Sequence, residues 1–424
     1  MHKLLSLLVL LFIGHSTNAQ IDEVRRITKT LCSPEFHGRG YVNKGDSIAA
    51  DFLVAEFQKI GVGAYKKEGM LQYFDIEGIT RFPGAMSVKR NNKKLEPGVH
   101  FMVDATSGGA KKTLEPFVIS IETALNRDLL ASEVLRFIED RRGNALYLDF
   151  GSAKGDTLNS LRGLGLALSE YHPVIEVINR KFTWSVGRRK TVHPVIYIQD
   201  SIADKSATYD INIESEFIPK YQSQNVVAYI PSKKMCAKTI VFTAHYDHLG
   251  RMGTSTYFPG ANDNASGTAM LITMAKYFME NPSKYNIMFI AFAGEEAGLV
   301  GSQYFVENTP IKLKKVKFLL NLDIMGSGED GITAVNSVVL EDEYNLLNEI
   351  NDEKKLLKRI KKRGQTQNSD HYWFAQQGVP GFFIYTMGLN QHYHDVFDTY
   401  EELSFNEYED ITTLLVTFVE RLGK

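Results

Sequence analysis

The stretch TIVFTAHYD, residues 239–247, joins an unbroken run of apolar and β-branched residues to a cluster of polar side chains. A run of this kind is typical of a strand that is buried on both faces of a parallel sheet. Four further runs are predicted as strands, and helical periodicity separates most of them: Asn225–Ile230, Ile287–Ala293, Val316–Leu322 and Gly381–Tyr385. The alternation predicts an α/β fold, with a mostly parallel central sheet covered by helices on both faces.

The first residues of the chain have the composition of an export signal. Lys3 precedes a short apolar run, and Thr17-Asn18-Ala19 supplies the small residues that precede a signal-peptidase site. Because the run is too short to span a bilayer as a helix, we expect residues 1–19 to be removed rather than to remain as an anchor. The mature protein is then expected to begin near Gln20 and to be periplasmic or secreted, without stable membrane insertion.

The remaining chain is predicted to form one large domain with an insertion. Residues 20–81 make its N-terminal part, with a helical pattern over residues 22–63 in which Gly61 marks a helix end. Residues 82–210 are predicted as a small inserted α+β module, with strands near 145–148 and 195–198 around a helix at 156–168. The main domain resumes over residues 211–424.

Charge and cysteine content narrow the classes of function. Lys and Arg number 48 against 50 Asp and Glu, so no basic field indicates a nucleic-acid partner. The basic cluster Lys354–Arg363 is expected to be a solvated helix end and loop, with an anion-binding patch as the less favoured alternative. Cys32 and Cys236 are too few for a thiolate zinc site, so a bound metal requires His and carboxylate ligands. Whether they form a disulfide and what the oligomeric state is cannot be predicted.

Polar residues follow the ends of the predicted strands. Because the carboxyl ends of parallel strands meet at one edge of a sheet, we expect these side chains to converge. Several carboxylates at one edge repel one another unless cations compensate them, and neutral His with carboxylate suits zinc. The sequence therefore predicts a site for two zinc ions made from residues of this set: His245, Asp247, Asp263, Glu295, Glu296, Asp323, Tyr393 and His394.

Zinc chemistry divides the roles among these residues. Asp263 is the candidate that bridges both metals, with His245 and Asp323 on one and Glu296 and His394 on the other. Glu295 is left free to act as general base. Asp247 is predicted to accept the second ring N–H of His245, and Tyr393 to donate its hydroxyl to an oxyanion.

The same motifs resemble the secreted double-zinc exopeptidases of metallopeptidase family twenty-eight. The resemblance is specific over residues 225–424, looser over 21–63, and rests on five motifs in order: His245-Tyr-Asp247, Gly260–Gly267, Gly294-Glu-Glu296, Asn321-Leu-Asp323 and His394-Asp-Val-Phe-Asp398-Thr399. It implies the zinc exopeptidase fold, five metal ligands (His245, Asp263, Glu296, Asp323 and His394), Glu295 as base for a metal-bridging water, and an aminopeptidase acting on peptides. The insert resembles at most a degenerate protease-associated domain, and Asp370 and His371 are taken as supporting residues.

Other functions remain open at this stage. A glutaminyl cyclase uses the same ligand pattern with one zinc. A carboxypeptidase requires a cationic pocket, and no Arg in the metal loops suggests one. A non-catalytic peptide-binding protein on a peptidase scaffold would typically lack ligands, whereas here all five and the base are present. The side chain preferred at the cleavage site is not predicted.

Overall fold

The computed structural model describes residues 21–423 apart from 141, 142 and 236, so the predicted signal peptide and Cys236 lie outside the described residues. Its centre is a nine-stranded sheet. The strands follow one another across the sheet in this order, with Leu71–Arg81 also paired to the second: Gly63–Ala64, Glu216–Ile230, Asn286–Phe292, Thr239–His245, Val316–Asp323, Gly381–Met387, Gly331–Val335 and Ile360–Lys362.

The sheet is mixed, and its parallel part carries the strands predicted from sequence. Strand Thr239–His245 is parallel to Asn286–Phe292 and to Val316–Asp323, which is parallel to Gly381–Met387. The long strand Glu216–Ile230 pairs antiparallel with its neighbours, and so does Gly331–Val335 with Gly381–Met387. The predicted α/β class is confirmed, with antiparallel pairs added toward the sheet edges.

Helices cover both faces, as the apolar strands require. Along Thr239–His245, Ile240 and Phe242 pack into one core while Val241 packs into the other. The first core contains three of the helices that helical periodicity places between or after the strands. These helices span Gly267–Glu280, Glu341–Lys354 and Tyr408–Arg421. The opposite face is covered by Val300–Glu307 and His371–Gln376.

The N-terminal segment joins the first of these cores. Residues 21–31 are helical, a turn of 3-10 helix spans Pro34–Arg39, and an α-helix spans Gly45–Ile60. Gly61 ends that helix as predicted: it is left-handed, with φ of 90°, and its N–H donates to the Gln58 carbonyl.

The insert is larger in its sheet content than the sequence suggests. An antiparallel four-stranded sheet packs on a five-stranded sheet, and helices, including Arg127–Asp140, cover the far side of the latter. The predicted helix at 156–168 is two short helices, Gly155–Leu161 and Leu164–Leu168, because left-handed Gly163 interrupts it. Strand Tyr209–Ile213 pairs inside the insert, so its sheet extends beyond residue 210.

The insert and the main domain share a core. Trp184 of the insert stacks on Phe258 of the main domain with ring centroids 4.6 Å apart, and Phe82 packs beside them. The insert is thereby fixed above the strand that ends at His245. Among residues 21–423, no described helix combines the length and apolar character that crossing a membrane needs.

Candidate metal centre

Four loops at the carboxyl ends of the parallel strands, together with the turn before helix Gly267–Glu280, bring the predicted ligands together. His245 and Asp323 are the last residues of their strands, and Glu296 follows strand Asn286–Phe292. Asp263 lies in the irregular turn Ala261–Ser266, and His394 lies in the loop after Gly381–Met387. The strand order places all five at one edge of the sheet, although His394 follows His245 by 149 positions in the chain.

The five side chains form two groups that share Asp263. The Nε2 atom of His245 lies 3.3 Å from Asp263 Oδ1 and 3.4 Å from Asp323 Oδ1. The Nε2 atom of His394 lies 3.2 Å from Asp263 Oδ2 and 3.3 Å from Glu296 Oε2. Each oxygen of the Asp263 carboxylate therefore faces a different histidine. This is the arrangement of a bridging ligand between two cation positions.

The distances fit zinc better than they fit hydrogen bonds. A single ring N–H cannot point at two carboxylate oxygens, and Asp323 Oδ1 is buried without a hydrogen-bond partner. Ligand atoms bound to one tetrahedral zinc at the usual bond lengths are separated by about 3.3–3.4 Å. The N–O distances in both groups, 3.2 to 3.4 Å, match that edge. The donor set, two imidazoles and three carboxylates, therefore suits two zinc ions.

The pKa shifts of the ligand residues also indicate that the buried carboxylates require positive charge beside them. Although burial acts against ionisation, contacts with His245 and His394 hold the pKa of Asp263 well below its usual range. Burial also disfavours a charged His394 ring, but the Glu296 and Asp263 carboxylates outweigh it and raise its pKa to about 11. The carboxylates thus attract cations strongly, whether protons or divalent metal ions.

Buried backbone contacts hold the turn that carries Asp263. The carboxylate of Asp398 accepts the backbone N–H groups of Asn262 and Asp263 at 2.9 and 3.0 Å. The fully buried guanidinium of Arg39 donates to carbonyls on both sides of the site, among them those of Tyr246, Pro259 and Gly260 at 2.7 Å each. The loop that resembles the N-terminal segment of the family is therefore a support of the site.

Asp247 contacts both halves of the site. The Nδ1 atom of His245 is 3.2 Å from the Asp247 main-chain oxygen and 3.7 Å from its carboxylate, so the carbonyl is the nearer acceptor. The carboxylate instead accepts the backbone N–H groups of Glu295 and Glu296 at 3.3 Å each. Asp247 thus links the His245 strand to the turn with the two glutamates, in addition to the contact predicted from sequence.

Glu295 and Tyr393 border an open cleft of about 250 Å³ together with His245, Asp263, Asp323 and His394. A carboxylate oxygen of Glu295 lies within 4.8 Å of ligand atoms of His245 and Glu296. Burial raises the pKa of the Glu295 carboxyl well above its usual range, against the opposing effect of His245. Tyr393 is 49% exposed and stacks on the His394 ring at 3.9 Å, so its hydroxyl can reach a bound molecule.

Two contacts of the ligands were not predicted. His248 holds Glu296 through an Nδ1–Oε1 contact of 2.8 Å, and its place three residues after His245 was the available signal. The main-chain carbonyl oxygen of Trp184, in the insert, lies 3.1 Å from Nδ1 of His394, and the backbone N–H of Trp184 donates to the His394 carbonyl at 2.8 Å. No sequence signal identifies Trp184, because its neighbour in space is 210 residues away.

Asp370 and His371 are buried near the same sheet edge but stay apart from the ligand groups. Neither side chain makes a hydrogen bond in the described structure, and burial raises the pKa of Asp370 to about 7. The serine before them is closer to the site, since Ser369 Oγ donates to Asp323 Oδ2 at 3.3 Å. Ser369 is therefore the residue of this segment that contacts a ligand, and a supporting role for Asp370 and His371 stays a prediction.

Comparison with known proteins confirms the resemblance drawn from the motifs. Residues 225–419 match the model of peptidase family M28. Aminopeptidase YwaD of Bacillus subtilis is 31% identical over 206 residues, which cover 46% of this chain but only 44% of that relative. Leucine aminopeptidase 1 of Arthroderma otae is 26% identical over 280 residues, covering 61% of this chain and 72% of the fungal protein.

Solved structures show the same fold over nearly the whole chain, insert included. A zinc aminopeptidase from Bacillus subtilis superposes with a TM-score of 0.66 at 18% identity, covering 94% of each chain. A peptidase M28 precursor from Shewanella amazonensis gives a TM-score of 0.66 at 16% identity, covering 95% of this chain and 97% of its own. The insert therefore has a counterpart in proteins of this fold.

Proposed function

We propose that the protein is a zinc-dependent aminopeptidase that removes N-terminal residues from peptides, on the basis that residues 225–419 match the model of peptidase family M28. The observation that carries the proposal is the Asp263 carboxylate, whose two oxygens face His245 and His394 at 3.3 and 3.2 Å. The names of the relatives, aminopeptidases from a bacterium and a fungus, support the choice of reaction.

The chain offers ligands for two zinc ions. His245, Asp263 and Asp323 would hold one, and His394, Asp263 and Glu296 the other. Zinc bound there supplies Lewis acidity to the scissile carbonyl and lowers the pKa of a shared water toward neutrality. The main-chain oxygens of Asp247 and Trp184 accept the Nδ1 protons of His245 and His394, which leaves both Nε2 atoms free for the metals.

Glu295 is the proposed general base. It borders the cleft beside the ligand groups, whereas Glu296 next to it faces His394 and His248. Its carboxylate takes the proton of the attacking water and returns it to the departing amine. The Tyr393 hydroxyl, at the exposed edge of the cleft, donates to the oxygen that develops negative charge at the scissile carbonyl.

Cleavage at an amino end follows the names of the relatives. Beside the ligand groups the cleft is lined by Asp263, Glu295 and Asp323, and carboxylate charge that the metals do not compensate would attract a free α-amine. The amino group is the feature that every N-terminal residue shares, so recognition of it need not depend on the side chain.

Hydrolysis of leucine p-nitroanilide by the purified protein, together with its zinc content, tests this function. We expect turnover with two zinc ions per chain, and we expect Glu295→Gln to lose activity by about 1,000-fold or more with the zinc retained. Unchanged activity in Glu295→Gln would refute the assignment of Glu295 as the general base. A single zinc with conversion of N-terminal glutamine to pyroglutamate would instead identify a glutaminyl cyclase.

We also propose that the protein is exported. The support is the sequence of residues 1–19, with Lys3, the apolar run and Ala19. Expression of the full chain with its own N-terminus, followed by N-terminal sequencing, tests this. Export predicts a processed chain that begins near Gln20, in the periplasm or the medium; an intact Met1 on cytoplasmic protein contradicts it.

A further inference from the structure

Arg363 lines the metal cleft, whereas the sequence favours a solvated helix end and loop for the basic cluster Lys354–Arg363 over an anion-binding patch. It follows the edge strand Ile360–Lys362 and lines the same cleft as His245 and Asp263. Two other members of the cluster pair with surface carboxylates: Lys358 with Asp330 at 2.7 Å and Lys362 with Glu341 at 2.8 Å. Arg363 differs from the rest of the cluster in location, because it is the member that lines the cleft.

Contacts hold Arg363 in place but leave its charge available. Its backbone N–H donates to Ser337 Oγ at 3.0 Å, and its Nη1 donates to the Tyr385 hydroxyl at 2.8 Å. The guanidinium also lies over the Tyr385 ring, 5.9 Å from its centroid. No carboxylate of the described residues lies within ion-pair distance of it. Since a guanidinium carries five N–H donors, most remain free for a bound molecule.

The charges of the cleft assign a role to this cation. Its other charged groups are Asp263, Asp323 and Glu295, which the proposed function assigns to the metals and to proton transfer, and the two histidines. Ile324, Phe383 and Tyr385 supply apolar or aromatic wall to the cleft, and Tyr385 lies opposite Asp323 on the neighbouring strand and contacts Arg363. A substrate can thus place its reacting end at the metals, its carbon chain along these walls, and a negative group against Arg363.

We propose that Arg363 binds a carboxylate of the substrate, so that the preferred peptides carry a carboxylate close to the bond that is cut. The inference rests on the proposed aminopeptidase function and names its substrate class. Two sources supply this chemistry: the side chain of an acidic first residue, or the terminal α-carboxylate of a dipeptide. Arginine recognises either through paired N–H donors.

The first experiment compares Arg363→Gln with the wild type on two matched substrate pairs. Glutamate and glutamine p-nitroanilides differ in the side-chain carboxylate, and leucyl-glycine and leucyl-glycinamide differ in the α-carboxylate. We expect the acid-to-neutral ratio of kcat/KM to fall by about 10- to 100-fold in one pair, since the lost contact is a charged hydrogen bond. The affected pair identifies the source.

The matched control is Lys361→Gln, which removes an exposed positive charge two residues away that does not line the cleft. We expect both ratios to stay within about twofold of the wild type, because a surface charge in water contributes little. If both ratios are unchanged in Arg363→Gln, or if Lys361→Gln lowers them equally, the inference is overturned.

A binding measurement separates this inference from the proposed function. Calorimetric titration of zinc-loaded Glu295→Gln, with and without Arg363→Gln, gives the affinities for the same dipeptide pair and for glutamate against glutamine. If the wild type hydrolyses none of the substrates, the proposed function fails, while a 10-fold weaker acid-to-neutral affinity ratio still supports Arg363. If turnover is present and no ratio changes, only the Arg363 inference fails.

Discussion

The central sheet and the five-stranded sheet of the insert share an architecture but differ at the ends of their strands. Both contain four consecutive parallel strands, and helices pack on both. In the central sheet, the strand ends carry His245 and Asp323, which face one another across a cleft. In the insert, two of the corresponding ends are Ser120 and Asp149.

The polar groups at the strand ends of the insert serve local structure. Ser120 caps the next helix by accepting the Thr123 N–H at 3.1 Å. Asp149 makes an exposed ion pair with Lys205 at 3.3 Å. Among the described residues, none of the side-chain clusters that could hold a metal ion lies in the insert. The comparison teaches that parallel topology supplies a place for a site, whereas the residues at the strand ends decide whether chemistry occurs there.

The largest effect is expected from changing one strand-end aspartate in each sheet. Asp323→Asn removes a candidate ligand and should lower kcat/KM for leucine p-nitroanilide by about 1,000-fold, with loss of zinc. Asp149→Asn, at the matching position of the insert, removes only a surface pair and should change kcat/KM less than about twofold. Equal effects would remove the distinction between the two sheets.

A second variant tests whether the insert takes part in the site. Trp184→Ala removes the stack on Phe258 that holds the segment against His394, so we expect zinc affinity to fall by about 10- to 100-fold. Competition with a chelator measures it. Phe137→Ala, in the outer core of the insert, should destabilise the insert by about 3–5 kcal/mol without this loss of affinity. If Phe137→Ala weakens zinc binding equally, the contact at Trp184 is not specific.

Two left-handed glycines with nearly the same φ sharpen the comparison further. Gly260 (φ 57°) precedes the Asp263 turn, and a Cβ there would lie 2.3 Å from Asp263 O and 2.4 Å from the His248 ring. Gly155 (φ 54°) of the insert has no atom within 4 Å of such a Cβ. Gly155→Ala should cost about 1–2 kcal/mol of unfolding free energy, and Gly260→Ala more, with reduced zinc content. Denaturant melts measure the unfolding free energies of the two variants, and a zinc assay measures their metal content. Similar losses of unfolding free energy would show that the Asp263 turn adapts to the added Cβ.

A pH dependence, which leaves zinc binding unchanged, is expected in the insert. Burial raises the pKa of Glu176 to about 7. A raised folded-state pKa contributes stability that is complete below the unfolded value, about 4.5, and is lost as pH rises through about 7. Glu176→Gln should therefore flatten the fall in unfolding free energy between pH 5 and 7 by about 2–3 kcal/mol. Denaturant melts across this range measure it, and an unchanged slope would contradict the expectation.

The central sheet was predictable because its signals are local. Each parallel strand is largely an apolar run, and two of them end at His245 and Asp323, so both the strands and the positions of these residues follow from short stretches of sequence. Antiparallel additions such as Gly331–Val335 were not predicted, because their pairing depends on long-range register rather than on composition. Helix Arg127–Asp140 was also missed; most of its surface is exposed, and Phe137 is its one buried side chain among the described residues.

The residues that contact and position the ligands also differ in how far sequence predicts them. Asp398 lies within a motif and His248 directly follows one, so sequence brings both near the ligands even where it gives them no role. Trp184 and Arg363 lie outside all the metal loops, and only the packing of the insert and of the edge strand Ile360–Lys362 brings them to the cleft.

The sequence by itself determined the α/β class, the convergence of His245, Asp263 and Asp323 at one sheet edge, and the requirement for cations among so many carboxylates. These follow from strand periodicity and from electrostatic repulsion, which act over short stretches of chain. Only the tertiary structure decided which atoms contact the histidine rings and which cationic side chain lines the cleft. Those contacts join residues far apart in the chain, and packing between separate elements has no local sequence signal.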